Sequence, residues 1–194
     1  NNCRDSVSQL VSVWRKPVAA FLHDSVCDGS DLLFTNTSNQ GPIDAFEWSF
    51  GDGTTSVVAS PQHLYGNAGS YSVELIVTSD KGCKDTTNST AHVHPNPIVA
   101  FSGTNVCAYD TLQLTNLTTI SSGSVAGYTW NLGDGTTHNG THADKWYEKP
   151  GSYAVRLTAT SDHGCLSAHD SLFEVFELPV ASFVAGAVCD GLPT

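Results

Sequence analysis

Phe50-Gly51-Asp52-Gly53 returns as Leu132-Gly133-Asp134-Gly135, 82 residues further on. Gly69-Ser70-Tyr71-Ser72-Val73 returns as Gly151-Ser152-Tyr153-Ala154-Val155, and Ser79-Asp80-Lys81-Gly82-Cys83 as Ser161-Asp162-His163-Gly164-Cys165, at the same offset. Pro97-Ile98-Val99-Ala100-Phe101 matches both Pro17-Val18-Ala19-Ala20-Phe21 and Pro179-Val180-Ala181-Ser182-Phe183. Fixed self-similarity along a whole chain marks a modular array. A period this long, beyond that of solenoids, predicts a separate core in each unit.

The cysteines keep the period. Cys3, Cys83 and Cys165 form one series, and Cys27, Cys107 and Cys189 the other, with spacings of 80 and 82 residues in each. The expected organisation is therefore residues 1–16 as the last strand of a preceding repeat, 17–96 and 97–178 as whole repeats, and 179–194 as the start of a truncated one.

Within each repeat the apolar residues alternate. Phe46, Trp48 and Phe50 stand between Ala45, Glu47 and Ser49, and Tyr71, Val73, Leu75 and Val77 between Ser72, Glu74, Ile76 and Thr78. Tyr128, Trp130 and Leu132, then Tyr153, Val155 and Leu157, do the same in the second repeat, while Leu32 with Phe34 and Leu112 with Leu114 mark an earlier strand. Period-two alternation predicts strands with one buried face. Turn signals separate them at Gly51-Asp52-Gly53, Gly66-Asn67-Ala68-Gly69 and Lys149-Pro150-Gly151. No stretch has a helical period. The expected fold is all-β: tandem immunoglobulin-like β-sandwiches of about seven strands each.

Composition narrows the function. Apolar residues make up 40% of the 194, enough for cores, while charged residues are only 14% and the net charge is −11. Eight Lys and Arg cannot build a phosphate-binding stripe, so nucleic acid is not an expected partner. The apolar runs are too short for a membrane span. With no Met and no leader segment, the sequence is expected to be a mature or excised part of a longer chain.

Several residues are candidates for chemistry. Asp52 and Asp134 sit in Gly-Asp-Gly turns. A carboxylate in a tight loop suits calcium, with Asp28, Asp31 or Asp110 nearby, but one carboxylate per loop is too few, and an Asp that bonds its own turn is the favoured reading. His92 and His94 share one face of a strand, as a zinc pair would, yet their counterparts are Ser12 with Trp14 and Glu174 with Phe176, and no third ligand is evident. No Gly-x-Ser-x-Gly elbow or other catalytic set is present, so neither an enzyme nor a cofactor is expected. Asn-x-Ser/Thr occurs at Asn36, Asn88, Asn116 and Asn139. Asn36 and Asn116 occupy equivalent positions at a strand end, where hydrogen bonding is the expected role. Trp14 and Trp146 are candidates for a sugar-stacking platform, with packing at a domain junction as the simpler reading.

Trp48-Ser49-Phe50-Gly51-Asp52-Gly53, Pro61-Gln62-His63-Leu64-Tyr65 and Gly69-Ser70-Tyr71-Ser72-Val73-Glu74-Leu75 together resemble the PKD (polycystic kidney disease) domain. The second repeat departs at the middle motif: Ala143-Asp144-Lys145-Trp146-Tyr147 keeps the Tyr without the Pro and His, which leaves His63 without an expected role. The paired cysteines and Phe34-Thr35-Asn36-Thr37-Ser38 are similar to tandem repeats of large surface proteins of Bacteroidota exported by type IX secretion. That resemblance implies a cell-surface, adhesin-like setting. Asp-Ser/Thr followed by an apolar residue or Thr also resembles the O-glycosylation motif of that group, which makes Ser6, Ser25, Thr86, Thr111 and Ser171 candidate glycosylation sites. Among immunoglobulin-like domains, Tyr71 and Tyr153 take the tyrosine-corner place, two residues before Val73 and Val155.

Cysteines in strict register predict disulfides and an oxidising, extracellular compartment. Two pairings are open. One joins Cys27 to Cys83 and Cys107 to Cys165 inside each repeat. In an immunoglobulin-like topology, however, those positions lie at opposite ends of a sandwich, ~20 Å or more apart. The favoured pairing is therefore Cys27 with Cys165 of the next repeat, leaving Cys3, Cys83, Cys107 and Cys189 to partners outside the segment. Proline-bearing joints at Val93-His94-Pro95-Asn96-Pro97 and Phe176-Glu177-Leu178-Pro179 leave almost no linker. The expected function is a non-catalytic spacer of a surface stalk, filament or adhesin. Its partners are neighbouring repeats of the same chain, with other surface proteins or polysaccharide beyond them. The alternative is a carbohydrate-binding accessory module of a secreted hydrolase.

Overall fold

The computed structural model describes residues 3–184 and 186, and among them there is no helix. The first repeat contains β1 (Phe21–Leu22), β2 (Val26–Cys27), β3 (Leu32–Leu33), β4 (Thr35–Asn36), β5 (Ile43–Ser49), β6 (Thr55–Ser56), β7 (Gln62–His63), β8 (Gly69–Ser79) and β9 (Lys84–His94). The second contains β10 (Phe101–Ser102), β11 (Val106–Cys107), β12 (Thr111–Asn116), β13 (Val125–Asn131), β14 (Thr137–Asn139), β15 (Ala143–Trp146), β16 (Gly151–Ser161) and β17 (Leu166–Phe176).

Each repeat has one five-stranded sheet, in the order β2-β9-β8-β5-β6 or β11-β17-β16-β13-β14. The other layer is formed by the pairs β1-β4 and β3-β7 in the first repeat and by β10-β12-β15 in the second. Pairing is antiparallel except at one edge, where β2 runs parallel to β9 and β11 to β17. Both repeats are thus immunoglobulin-like sandwiches. The early strand marked by Leu32 and Phe34 is broken in the first repeat: the Phe34 N–H bonds the Pro61 carbonyl, but Pro61, which stands where the second repeat has Ala143, has no N–H to return. Its counterpart β12 is continuous.

The alternation seen in the sequence becomes the core. Trp48, Phe50, Val73, Leu75 and Val77 are buried with Leu32 and Phe34, and Trp130, Leu132, Val155 and Leu157 with Leu112 and Leu114. Each tryptophan still satisfies its indole N–H, Trp48 on the Val58 carbonyl at 2.9 Å and Trp130 on the Gly140 carbonyl at 3.0 Å.

The chain divides into two compact units. One takes in the chain up to Asn96 together with Ile120–Gly123 and His163–Cys165; the other holds Pro97–Thr119, Ser124–Asp162 and the chain from Leu166 on. Residues 3–16, the counterpart of β9 and β17, form no strand. In both whole repeats that strand exists by pairing with the long strand before it, β8 or β16; among the described residues no strand pairs with 3–16. Residues 179–184 likewise form no strand. Cys189 lies outside the described residues.

Candidate functional site

The two Gly-Asp-Gly turns follow β5 and β13. Asp52 Oδ1 accepts the Thr54 N–H at 3.0 Å and its hydroxyl at 2.6 Å, and Asp134 does the same with Thr136 at 3.0 and 2.6 Å. The second carboxylate oxygen takes a basic side chain from β7 in the first repeat and from β15 in the second. His63 Nε2 lies 2.7 Å from Asp52 Oδ2, and Lys145 Nζ lies 2.6 Å from Asp134 Oδ2. His63 and Lys145 occupy the same repeat position, so the departure noted in the second motif keeps the contact to the turn carboxylate and changes only the group that makes it. Sequence reasoning missed this role for His63; the signal was a second basic residue at the same 82-residue offset.

These interactions set the charge of the turn. Partial burial works against ionisation of Asp52, but bonds from the Thr54 hydroxyl, its N–H and His63 outweigh it and hold the carboxyl at about 2. Burial is likewise outweighed at Asp134, by Lys145 and by the Thr136 hydroxyl and N–H, and its carboxyl also stands at about 2.

A tyrosine anchors each turn to the core. The Tyr65 hydroxyl donates to the Phe50 carbonyl at 3.1 Å, and the Tyr147 hydroxyl to the Leu132 carbonyl at 2.6 Å. Burial, then the charge of Asp52, raises the Tyr65 phenol; burial and Asp134 push Tyr147 up to about 12. Their rings stack on Tyr71 and Tyr153 with centroids 4.0 and 3.8 Å apart. The Tyr71 hydroxyl reaches back to the Asn67 carbonyl at 2.7 Å and that of Tyr153 to Lys149 at 2.8 Å, a tyrosine corner in each repeat.

The first glycine of each turn makes a close approach. A Cβ on Gly51 would stand 2.6 Å from the Ser72 carbonyl oxygen, and one on Gly133 2.8 Å from that of Ala154. Both residues also have positive φ, 82° and 79°. The turn is therefore a structural clasp whose carboxylate is already engaged by three donors.

The remaining candidates fall elsewhere. His92 Nδ1 lies 3.0 Å from the Ser70 hydroxyl, and the His92 and His94 rings are 6.5 Å apart. Among the described residues no group of three His, Cys, Asp or Glu is placed to hold a metal. Asn36 and Asn116 accept the N–H of Ser38 and Thr118 at 3.0 and 2.9 Å. Ser6, Ser25, Thr86 and Thr111 are exposed and Ser171 is half-buried. Trp14 and Trp146 are more than half exposed.

Cys27 is bonded to Cys165, with sulfurs 2.04 Å and Cα atoms 5.6 Å apart. Neither intra-repeat pair, Cys27–Cys83 or Cys107–Cys165, is formed. Cys27 lies in β2, in register with His94 at the far end of β9, whereas Cys83 precedes Lys84 at its start. The eleven-residue strand between them spans ~33 Å, far beyond the Cα separation of about 7 Å that a disulfide allows. His94 stacks on His163 beside the bridge, centroids 3.6 Å apart.

Two tandem immunoglobulin-like sandwiches, each closed by a Gly-Asp-Gly clasp and a tyrosine corner, define a class of small β module. The chain belongs to the PKD domain family, whose model matches residues 14–95 and again 92–175. It is 32% identical over 154 residues to the pre-pro-metalloprotease PrtV of Vibrio cholerae serotype O1, covering 78% of this chain and 17% of that protein. It is 37% identical over 99 residues to collagenase ColA of Bacillus cereus, 50% of this chain and 10% of that one. Among solved structures it is similar to the PKD1 domain of PrtV, with 43% identity over 41% of this chain and 98% of that domain and a TM-score of 0.37. The chain spans less than a fifth of these two curated relatives.

Proposed function

We propose that this chain is a pair of non-catalytic spacer repeats from an extracellular protein, serving as part of a surface stalk, filament or adhesin. The observation that carries the reading is where the polar groups of the family motif go. Asp52, Thr54, His63 and Tyr65, like Asp134, Thr136, Lys145 and Tyr147, are consumed in fastening their own repeat. The cross-link from β2 of the first repeat to the turn before β17 of the second adds covalent continuity suited to a load-bearing element, in the oxidising setting that disulfides require. The paired cysteines and the Asp-Ser/Thr motifs extend the reading to glycosylated surface proteins of the Bacteroidota type.

A second reading is supported by the relatives, a metalloprotease and a collagenase: accessory modules of a secreted hydrolase that hold a polymeric substrate. Exposed Trp146 is the natural stacking residue for it. Co-sedimentation of the chain with insoluble polysaccharides and with fibrillar collagen separates the two. The spacer reading expects no saturable binding. Saturable binding that disappears in Trp146→Ala would replace it with the accessory-module reading.

A further inference from the structure

We infer that Cys83 and Cys107 are the two unlike halves of a bridge of the Cys27–Cys165 kind, each taking the complementary cysteine of a neighbouring repeat of the same type. The inference rests on the cross-linked spacer reading and names the partner.

The bonded pair joins one cysteine of each positional kind. Cys27 lies in β2, in parallel register with His94, and Cys107 lies in β11, in the same register with Phe176. Cys165 ends the turn between β16 and β17, and Cys83 the turn between β8 and β9; the preceding glycines, Gly164 and Gly82, have φ of 79° and 77°. Once Cys27 and Cys165 are joined, the two thiols left in whole repeats are one turn cysteine and one strand cysteine.

A second observation, independent of the cysteines, points to the same partner. In the bonded pair the ring in register with the strand cysteine, His94, stacks on the residue two before the turn cysteine, His163. At the Cys83 turn the residue two before is Lys81, and its ammonium lies over the Trp14 ring, 5.2 Å from the centroid. Trp14 stands 80 residues before His94, at the same repeat position. The Cys83 turn therefore already holds the aromatic residue that accompanies a strand cysteine in the bonded case. At the other half, Phe176 occupies that position beside Cys107 and is 53% exposed, a ring suited to a lysine such as Lys81.

Closing the bridge oxidises two thiols to one disulfide and releases two protons and two electrons. A small disulfide such as glutathione disulfide accepts them and is reduced to two thiols, by exchange through a mixed disulfide. A second copy of this chain carries both halves and serves as the probe.

The test uses the full 194-residue chain with Cys3→Ser and Cys189→Ser, incubated at high concentration with glutathione disulfide and mapped by non-reducing mass spectrometry. The expected result is a ladder of linked chains whose cross-linked peptides are predominantly Cys83–Cys107, and loss of that ladder in Cys83→Ser or Cys107→Ser. Absence of a ladder, a Cys83–Cys107 bond confined to monomers, or Cys83–Cys83 and Cys107–Cys107 peptides in random proportion overturns the inference. Absence of the Cys27–Cys165 peptide from the untreated chain overturns the cross-linked spacer reading as well, so the two failures are told apart.

Discussion

His63 and Asp52 meet at 2.7 Å across the mouth of the first Gly-Asp-Gly turn, as Lys145 and Asp134 do at 2.6 Å in the second. A histidine and a lysine at one repeat position thus do the same work, which bears on pH. Both aspartates ionise more readily folded than unfolded, from 3.8 down to about 2. The stabilisation is complete above the unfolded value and is lost as pH falls through the folded one. It amounts to about 2 kcal/mol per repeat for side chains that are about one-fifth exposed. Urea unfolding at stepped pH is expected to weaken between about pH 4 and pH 2, and Asp52→Asn with Asp134→Asn to flatten that dependence.

The equivalence of the two side chains is testable by exchange. His63 also stacks on Phe50, centroids 4.2 Å apart, so His63→Ala removes both the hydrogen bond to Asp52 and a ring contact. It is expected to cost about 1–2 kcal/mol, whereas His63→Lys, which restores the second repeat's solution, is expected to stay within about 1 kcal/mol of the parent. Equal losses for the two variants in a thermal melt would show that the charge of this position is immaterial.

The two glycines of a turn predict different penalties. Gly51→Ala places a methyl 2.6 Å from backbone in addition to demanding positive φ, while Gly53, with φ of 91°, has nothing within 4 Å of its Cβ direction. Gly53→Ala is expected to cost about 1 kcal/mol for backbone conformation alone. Gly51→Ala is expected to cost about 3 kcal/mol or more as Ser72 is displaced. Chemical denaturation of both variants gives the comparison directly.

Trp48 is 1% exposed and meets Phe21 edge to face at 5.1 Å. Truncation to Ala is expected to cost roughly 3–5 kcal/mol through the cavity left behind. A melting shift of only a degree or so would place Trp48 outside the core.

The Cys27–Cys165 bond encloses a sequence separation of 138 residues. Pulled from its ends, the oxidised chain is expected to hide that segment. Reduction should release it as roughly 450–500 Å of additional extended length in single-molecule stretching. An extension indifferent to reductant would show that the bridge does not form.

The repeat, the fold class and the buried alternation of Trp48, Val73, Leu75 and Val77 were legible in the sequence, because a sandwich is specified by local period-two patterning and by turn chemistry acting over a few residues. Tyr71 and Tyr153 could be placed for the same reason, each bonding a carbonyl four residues upstream. Other features needed the tertiary structure. His63 and Lys145 read as unrelated until the strand carrying each was seen to lie against its turn, since an ion pair is set by distance in space rather than by residue type. Gly51 and Gly53 look alike in the motif, and only the backbone of β8 passing beside one of them separates their roles. The cysteine spacing was plain in the chain, but three-dimensional pairing decided the bond: β2 runs parallel to β9, so the length of that strand carries Cys27 away from Cys83 and leaves it to Cys165.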